Sequence, residues 1–179
     1  MKKYKLEGPF HKILLEKLEG FRCEFSDYLG DFTVRIQAED AKRVFTILKG
    51  DSSLAFDQMI DLTCVDYLNE NRTPRFEMVY HFYSFSTKFR LRVKFGLPAE
   101  NPATDTVSDI WLAGEWYERE CYDLFGIDFR GHPDLRRIIM WEGFDGHPLR
   151  KDYPITREQP LLDLKDSPER HNYMDKHLF

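Results

Sequence analysis

No apolar run in the 179-residue chain approaches the roughly 18–20 residues that cross a bilayer as a helix, so membrane contact is expected only through a partner. The first residues, MKKYKLEGPF, carry lysines but no apolar segment, which argues against a secretory signal. Cysteine is scarce: Cys23, Cys64 and Cys121 lie far apart, with no C-x-x-C among them. Iron–sulfur clusters are ordinarily held by four thiolates and structural zinc by clustered Cys and His, and the chain offers neither set. An odd, scattered count also fits a reducing compartment better than a disulfide framework. Basic excess is missing too: the formal net charge is −5, which weighs against a general nucleic-acid binder. There is no Walker loop, no G-x-G-x-x-G and no G-x-S-x-G, so phosphate cradling and a hydrolase nucleophile elbow both lack their usual marks.

What is present suits one well-packed domain. Hydrophobic residues make up 42% and charged residues 32%, the balance of a globular protein with a full core. Aromatics are abundant at 15%, which implies a dense core or apolar surface meant for a partner.

Periodicity gives the elements. FHKILLEKL, residues 10–18, places Phe10, Ile13, Leu14 and Leu18 at helical spacing, and Gly20 ends the helix. Phe21, Cys23 and Phe25 alternate with polar residues, as do Phe32, Val34 and Ile36, which predicts a hairpin with its turn near Gly30–Asp31. A second helix covers about residues 39–49, with Ala41, Val44, Phe45 and Leu48 inward. A helical turn then leads into a strand near Leu62–Leu68, and clearer strands follow at 75–83 and 88–95. Residues 96–107 carry Gly96, Pro98 and Pro102 and read as a loop, after which Ser108 is placed to cap a helix running to about Phe125. Beyond Gly126, prolines recur and extended chain is expected, apart from a short strand at Ile138–Met140. The order predicts an α+β fold: a mostly antiparallel sheet with helices packed on one face, formed by residues 1–126. Residues 127–179 are expected to be an extended, proline-rich segment lying on that domain and on partner subunits.

Three stretches carry candidate chemistry. Lys88, Arg90, Arg92 and Lys94 share one strand face: an anion-binding stripe, or the solvated face of an amphipathic strand, of which a charge-guarded edge is one form. No aromatic residue interleaves with them, so nucleic-acid bases have no stacking platform there. WYERECYDLF, residues 116–125, puts Glu118 and Glu120 on opposite flanks of a helix, with Arg119 able to reach Glu115 and Asp123. Two carboxylates can form an acid/base couple, but from opposite flanks they do not converge on one atom. They better suit anchors to cations, with Arg136–Arg137 and Arg150–Lys151 as the available pairs. Gly-His-Pro occurs twice, around His132 and His147. Proline holds the histidine before it extended, so each triplet is a stiff turn. The two histidines with Asp134, Asp145 or Asp152 would be a metal site, yet the spacing matches no familiar zinc pattern, and structural or interface histidines are the competing reading.

Glu118-Arg119-Glu120, then Asp123-Leu124-Phe125, then His132-Pro133-x-Leu135-Arg136-Arg137-Ile138 closely resembles the signature of the 30 kDa subunit of proton-pumping NADH:quinone oxidoreductase, complex I. Gly143-Phe144-x-Gly146-His147-Pro148-Leu149-Arg150-Lys151-Asp152-Tyr153-Pro154 resembles the block that follows in that family. DLTCVDY, residues 61–67, and the 75–95 strand pair fit more loosely. The resemblance implies a hydrophilic subunit of the peripheral arm, on the cytoplasmic side of the plasma membrane, that binds no cofactor itself. NADH, FMN, iron–sulfur clusters and quinone would belong to the complex. The implied partners are the hydrogenase-like large subunit that helps form the quinone pocket and the neighbouring iron–sulfur subunits, with no nucleic acid. It assigns Glu118, Arg119, Glu120, Asp123, His132, Arg136, Arg137, His147, Arg150, Lys151 and Asp152 structural and interface roles and no catalytic one. Similar chains occur in membrane-bound hydrogenases and in F420H2- or ferredoxin-linked dehydrogenases, so an equivalent scaffold subunit there is the alternative.

Overall fold

The computed structural model describes residues 9–70 and 72–159; the end of the expected extended tail lies outside them. After helix α1 (Pro9–Lys17), strands β1 (Glu24–Tyr28) and β2 (Asp31–Arg35) form a hairpin, and helix α2 (Ala41–Gly50) leads to β3 (Gln58–Asp66), β4 (Phe76–Ser84) and β5 (Phe89–Leu97). Short strand β6 (Ala103–Asp105), helix α3 (Gly114–Phe125) and short strand β7 (Asp128–Arg130) follow, and 3-10 turns lie at Ala38–Asp40 and Leu68–Glu70. The main sheet has the order β1-β2-β5-β4-β3. It is mostly antiparallel, as expected, with one parallel pair, β2 with β5.

Alternation along the strands gives the sheet two unlike faces. Val34, Val93 and Tyr80 stand in register on the inner face. There they join Val44, Phe45 and Leu48 of α2, Leu14 of α1 and Cys121 and Leu124 of α3 in one core. Aromatic rings fill it: Phe45 lies 4.7 Å from Tyr80 and Phe82 lies 4.6 Å from Trp111, centroid to centroid. Such pairs contribute about 0.5–1.5 kcal/mol each beyond their burial. The Trp111 indole N–H donates to the Phe56 carbonyl at 3.0 Å, so the ring carries no stranded donor into the core.

The outer face places the basic strand. β5 is the central strand, not an edge. Lys94 and Arg35 converge on Glu77 of β4 at 2.9 and 2.5 Å, while Arg92 donates to His81 Nε2 at 2.9 Å and reaches Asp31 at 3.3 Å. Of the four predicted cations, Arg92 and Lys94 are engaged in cross-strand pairs, Arg90 is exposed beside the Tyr83 ring and Lys88 lies in the turn before β5, so they do not form one open anion stripe. Alternation reports which residues share a face, but not which strands flank it.

Other departures have local causes. The hairpin turn falls on Leu29–Gly30, both at positive φ (55° and 88°), and its register pairs Phe25 with Val34, so β1 begins at Glu24, not Phe21. Helix α3 starts at Gly114, not Ser108, because the Val107 carbonyl takes both the Ile110 and Trp111 N–H groups in a separate turn. β6 and β7 pair in parallel on either side of α3; three-residue strands show no periodicity to read. The edge of β3 is covered by α3: the Tyr117 hydroxyl donates to the Ile60 carbonyl at 2.8 Å and the Cys121 thiol to that of Leu62 at 3.8 Å.

Candidate functional site

The motif residues gather around α3, and most of their bonds go to backbone. Asp123 lies fully buried near the helix C-terminus. Its Oδ2 accepts three consecutive backbone N–H groups, from Ile138, Ile139 and Met140, at 3.1, 2.8 and 2.8 Å, and its Oδ1 takes Arg137 Nη1 at 2.6 Å. Here the expected strand at 138–140 fails. Three successive N–H groups that turn toward one carboxylate cannot feed a ladder, in which they alternate sides. Burial works against the charge on Asp123, but the three N–H groups and Arg137 outweigh it and hold the carboxyl below its ordinary range.

The end of α3 is capped by the segment that follows it. An α-helix leaves its last four carbonyls without intrahelical donors. The Asp123 carbonyl takes His147 Nδ1 at 2.8 Å and Arg137 at 3.3 Å. The Leu124 carbonyl takes the Leu149 N–H at 3.1 Å, and the Phe125 carbonyl takes Arg150 Nε at 2.6 Å. Arg137 also donates to the carbonyls of Phe144 and Gly146, at 3.1 and 3.0 Å, which fixes the second Gly-His-Pro turn. At the other end of the helix, His132 Nδ1 accepts the Asp134 N–H at 3.0 Å, so its Nε2 carries the proton to the Glu115 carbonyl at 3.1 Å. Each histidine thus grips one carbonyl of α3, and the two do not converge. Among the described residues, no three His, Cys, Asp or Glu side chains are grouped as metal ligands.

Several expected partners differ. Arg119 does not pair with Glu115 or Asp123; it donates to the carbonyls of Arg136 and Arg137, each at 3.1 Å, and its guanidinium lies over the Trp116 ring. The inward turn of Asp123 removes it from reach. Glu118 meets neither cation pair: it is enclosed, and its oxygens take Thr106 and the Val107 N–H. Glu120 is exposed and has no hydrogen-bond or ion-pair partner among the described residues. Arg136 is a surface residue paired with Asp134 at 2.9 Å. Of Lys151, only the backbone N–H is used, donating to Asp66 at 2.9 Å.

That last bond leads to a cluster the sequence reading missed. Asp66, at the end of β3, is held in bidentate fashion by Arg75, Nε to Oδ1 at 2.8 Å and Nη2 to Oδ2 at 2.7 Å, and accepts the Leu68 N–H at 3.0 Å. Arg75 also reaches Asp152 at 2.9 Å. Although burial opposes it, this set of donors holds the Asp66 carboxyl down at about 2. One signal was available: Leu62, Cys64 and Asp66 share the inward face of β3, and an inward carboxylate needs a cation.

Gly126 closes α3 in the left-handed region, at φ 70°, and a Cβ there would lie 2.6 Å from the His147 ring. Gly126→Ala should therefore lower stability by more than the roughly 1 kcal/mol of φ strain alone and displace His147. Urea unfolding and the His147 ring signals in NMR spectra check this; an unmoved ring would contradict the packing.

Residues 34–159 match the protein family described as respiratory-chain NADH dehydrogenase, 30 kDa subunit. The chain is 47% identical over 142 residues to the C-type subunit of NADH-quinone oxidoreductase from Geobacter metallireducens, spanning 79% of this chain and 86% of the relative. It is 46% identical over 126 residues to the C-type subunit of the same enzyme, numbered 2, from Rhizobium meliloti, spanning 70% and 68%. Among solved structures, a trypsin-resistant fragment of Nqo5 superposes with a TM-score of 0.61 at 34% identity, covering 69% of this chain and 97% of that one. A chain of the membrane-bound sulfane sulfur reductase, an archaeal respiratory membrane complex, superposes with a TM-score of 0.66 at 27% identity, covering 81% and 85%.

Proposed function

The chain belongs to the 30 kDa subunit family of respiratory-chain NADH dehydrogenase, and from that membership we propose that it is a structural and assembly subunit of the peripheral arm of an NADH-quinone oxidoreductase. In this reading NADH, FMN, the iron–sulfur clusters and quinone are handled by other subunits. This chain packs against the hydrogenase-like large subunit that helps form the quinone pocket and against neighbouring iron–sulfur subunits, on the cytoplasmic side of the membrane. It supports electron transfer coupled to proton translocation by holding those neighbours in place.

One observation carries the proposal: most of the motif side chains are already committed inside the fold. Asp123, His132, Arg137, His147 and Arg150 each bond backbone groups of α3 or of the segment that caps it. Such groups fix a shape. The shape displays apolar residues: Leu112 and Trp116 lie four residues apart, and Arg119 links Trp116 to the backbone just before Ile138 and Ile139. Leu112, Trp116 and Ile139 are all more than half exposed. Grouped exposed apolar side chains mark contact surfaces.

The test is a native gel of mildly solubilised membranes from cells carrying the tagged chain, probed for the tag and stained for NADH-dependent dye reduction. Co-migration in a large NADH-active band is expected, and a small free species alone would refute the proposal. The double variant Trp116→Ala with Ile139→Asp removes the Arg119 contact with the ring and should lower the stability of the isolated chain by no more than about 1–2 kcal/mol, yet reduce its share in the large band several-fold. Normal incorporation would place the contact elsewhere. The likeness to the sulfane sulfur reductase chain favours a second reading, the same scaffold role in a related complex; a large band without NADH activity would select it.

A further inference from the structure

Among the described residues, Glu118 differs from the other buried carboxylates in having no lysine or arginine within hydrogen-bond distance. Asp66, Glu77 and Asp123 each hold an arginine or lysine within hydrogen-bond distance. Glu118 holds hydroxyl and amide partners instead: Oε1 accepts the Val107 N–H at 2.6 Å, and Oε2 lies 2.5 Å from Thr106 Oγ1. Thr106 Oγ1 lies 2.8 Å from Ser108 Oγ and accepts the Ser108 N–H at 3.1 Å. All these groups are buried.

The hydroxyl chain accepts either charge state. With Glu118 ionised, Thr106 donates to Oε2. With Glu118 protonated, Oε2–H donates to Thr106, and Thr106 turns its own hydrogen to Ser108. Each oxygen keeps a partner in both arrangements, because a hydroxyl donates one hydrogen and accepts through two lone pairs. We propose that Glu118 is a proton-binding site whose occupancy sets how tightly the 106–108 segment, and with it the β6–β7 pair, is held to α3.

The surrounding charges permit this. From α2, Lys42 donates to the Thr106 carbonyl at 2.5 Å and pairs with Asp109, so its charge is shared out before it reaches the carboxylate. From the turn after β7, His132 brings Nε2 within 3.9 Å of Oε2, but that nitrogen serves the Glu115 carbonyl and Nδ1 accepts the Asp134 N–H. From β4 and α3, Tyr80 and Cys121 are uncharged, since burial raises both well above their ordinary values. Burial dominates at Glu118 and lifts its carboxyl from 4.5 to about 7, against the pull of Thr106, the Val107 N–H and Lys42. Between those values the folded chain holds a proton that the unfolded chain has released, so stability falls as pH rises across this window.

NMR of the full chain with labelled glutamate carboxyls tests the site between about pH 5 and 9. One carboxyl should titrate near neutrality, and the Val107 and Ser108 amides should shift with the same midpoint. Glu118→Gln should abolish that titration and hold the low-pH pattern, because a carboxamide accepts from Val107 and donates to Thr106 as the protonated acid does. If that variant fails to fold, Thr106→Val serves instead: it removes a donor from the ionised form and should move the midpoint upward. A Glu118 carboxyl titrating in the ordinary acid range would overturn the proposal. So would Val107 and Ser108 amides indifferent to pH, or a midpoint that Thr106→Val leaves in place or lowers.

Discussion

Asp123→Ala should destabilise the chain by about 3–5 kcal/mol, the cost of removing one member of a buried charge pair and stranding the rest. Four donors lose this acceptor at once: the Ile138, Ile139 and Met140 N–H groups and Arg137 Nη1, which keeps only the Asp123 carbonyl at 3.3 Å. Arg137→Ala should cost less, since Asp123 keeps its three amides and the guanidinium is 18% exposed where the carboxylate is fully buried. Urea unfolding of the two variants tests the order. A loss below about 1 kcal/mol for Asp123→Ala would mean that the 137–140 segment is held by something other than this carboxylate. The pH dependence has a fixed sign. The folded carboxyl sits below its ordinary value of 3.8, so this stabilisation is present above that value and is lost as pH falls through the folded one.

Much of this was legible in the residues, and the gaps have physical reasons. Strands of eight or nine residues with strict alternation, such as KFRLRVKF, are readable because one face must be apolar. The class, a mostly antiparallel sheet with helices sharing its inner face, followed from those strands and from the 3.6-residue spacing of α2. Which strand lies in the centre did not follow, because the parallel pairing of β2 with β5 joins segments separated by a helix and two strands. At the site, the sequence offered stiff turns, paired cations and helix carboxylates, and the obvious inference joined opposite charges. The fold instead joins charges to backbone. His132, His147, Arg119 and Arg150 all donate to carbonyls, and Asp123 spends most of its acceptor capacity on amides. Every residue carries those groups, so no side-chain pattern announces them. The demand itself was foreseeable: a proline-rich segment without ladders has amides to satisfy, and a helix end has carbonyls.

The same logic makes Arg75→Ala the second large effect. Arg75 joins three parts of the chain: Asp66 at the end of β3, its own position before β4, and Asp152 far along the sequence. Removing it leaves the Asp66 side chain fully buried, with the Leu68 and Lys151 amides its remaining donors among the described residues. A loss of about 3 kcal/mol is expected in urea unfolding near neutral pH. A plain loss of packing would give a similar number, so pH separates the causes. The Asp66 carboxyl stands at about 2 against an ordinary 3.8. That difference corresponds to about 2–3 kcal/mol of stability, present above the ordinary value and lost as pH falls toward 2. In the variant the depressing guanidinium is gone while burial still opposes the charge, so the acid-side loss should shrink or disappear. Arg75→Lys should restore only part of it, since an ammonium cannot reproduce the two-pronged contact. An unchanged acid slope in Arg75→Ala would mean that the two amides alone stabilise Asp66, and that the 150–152 segment is tied to the sheet through the Lys151 N–H and not through the arginine.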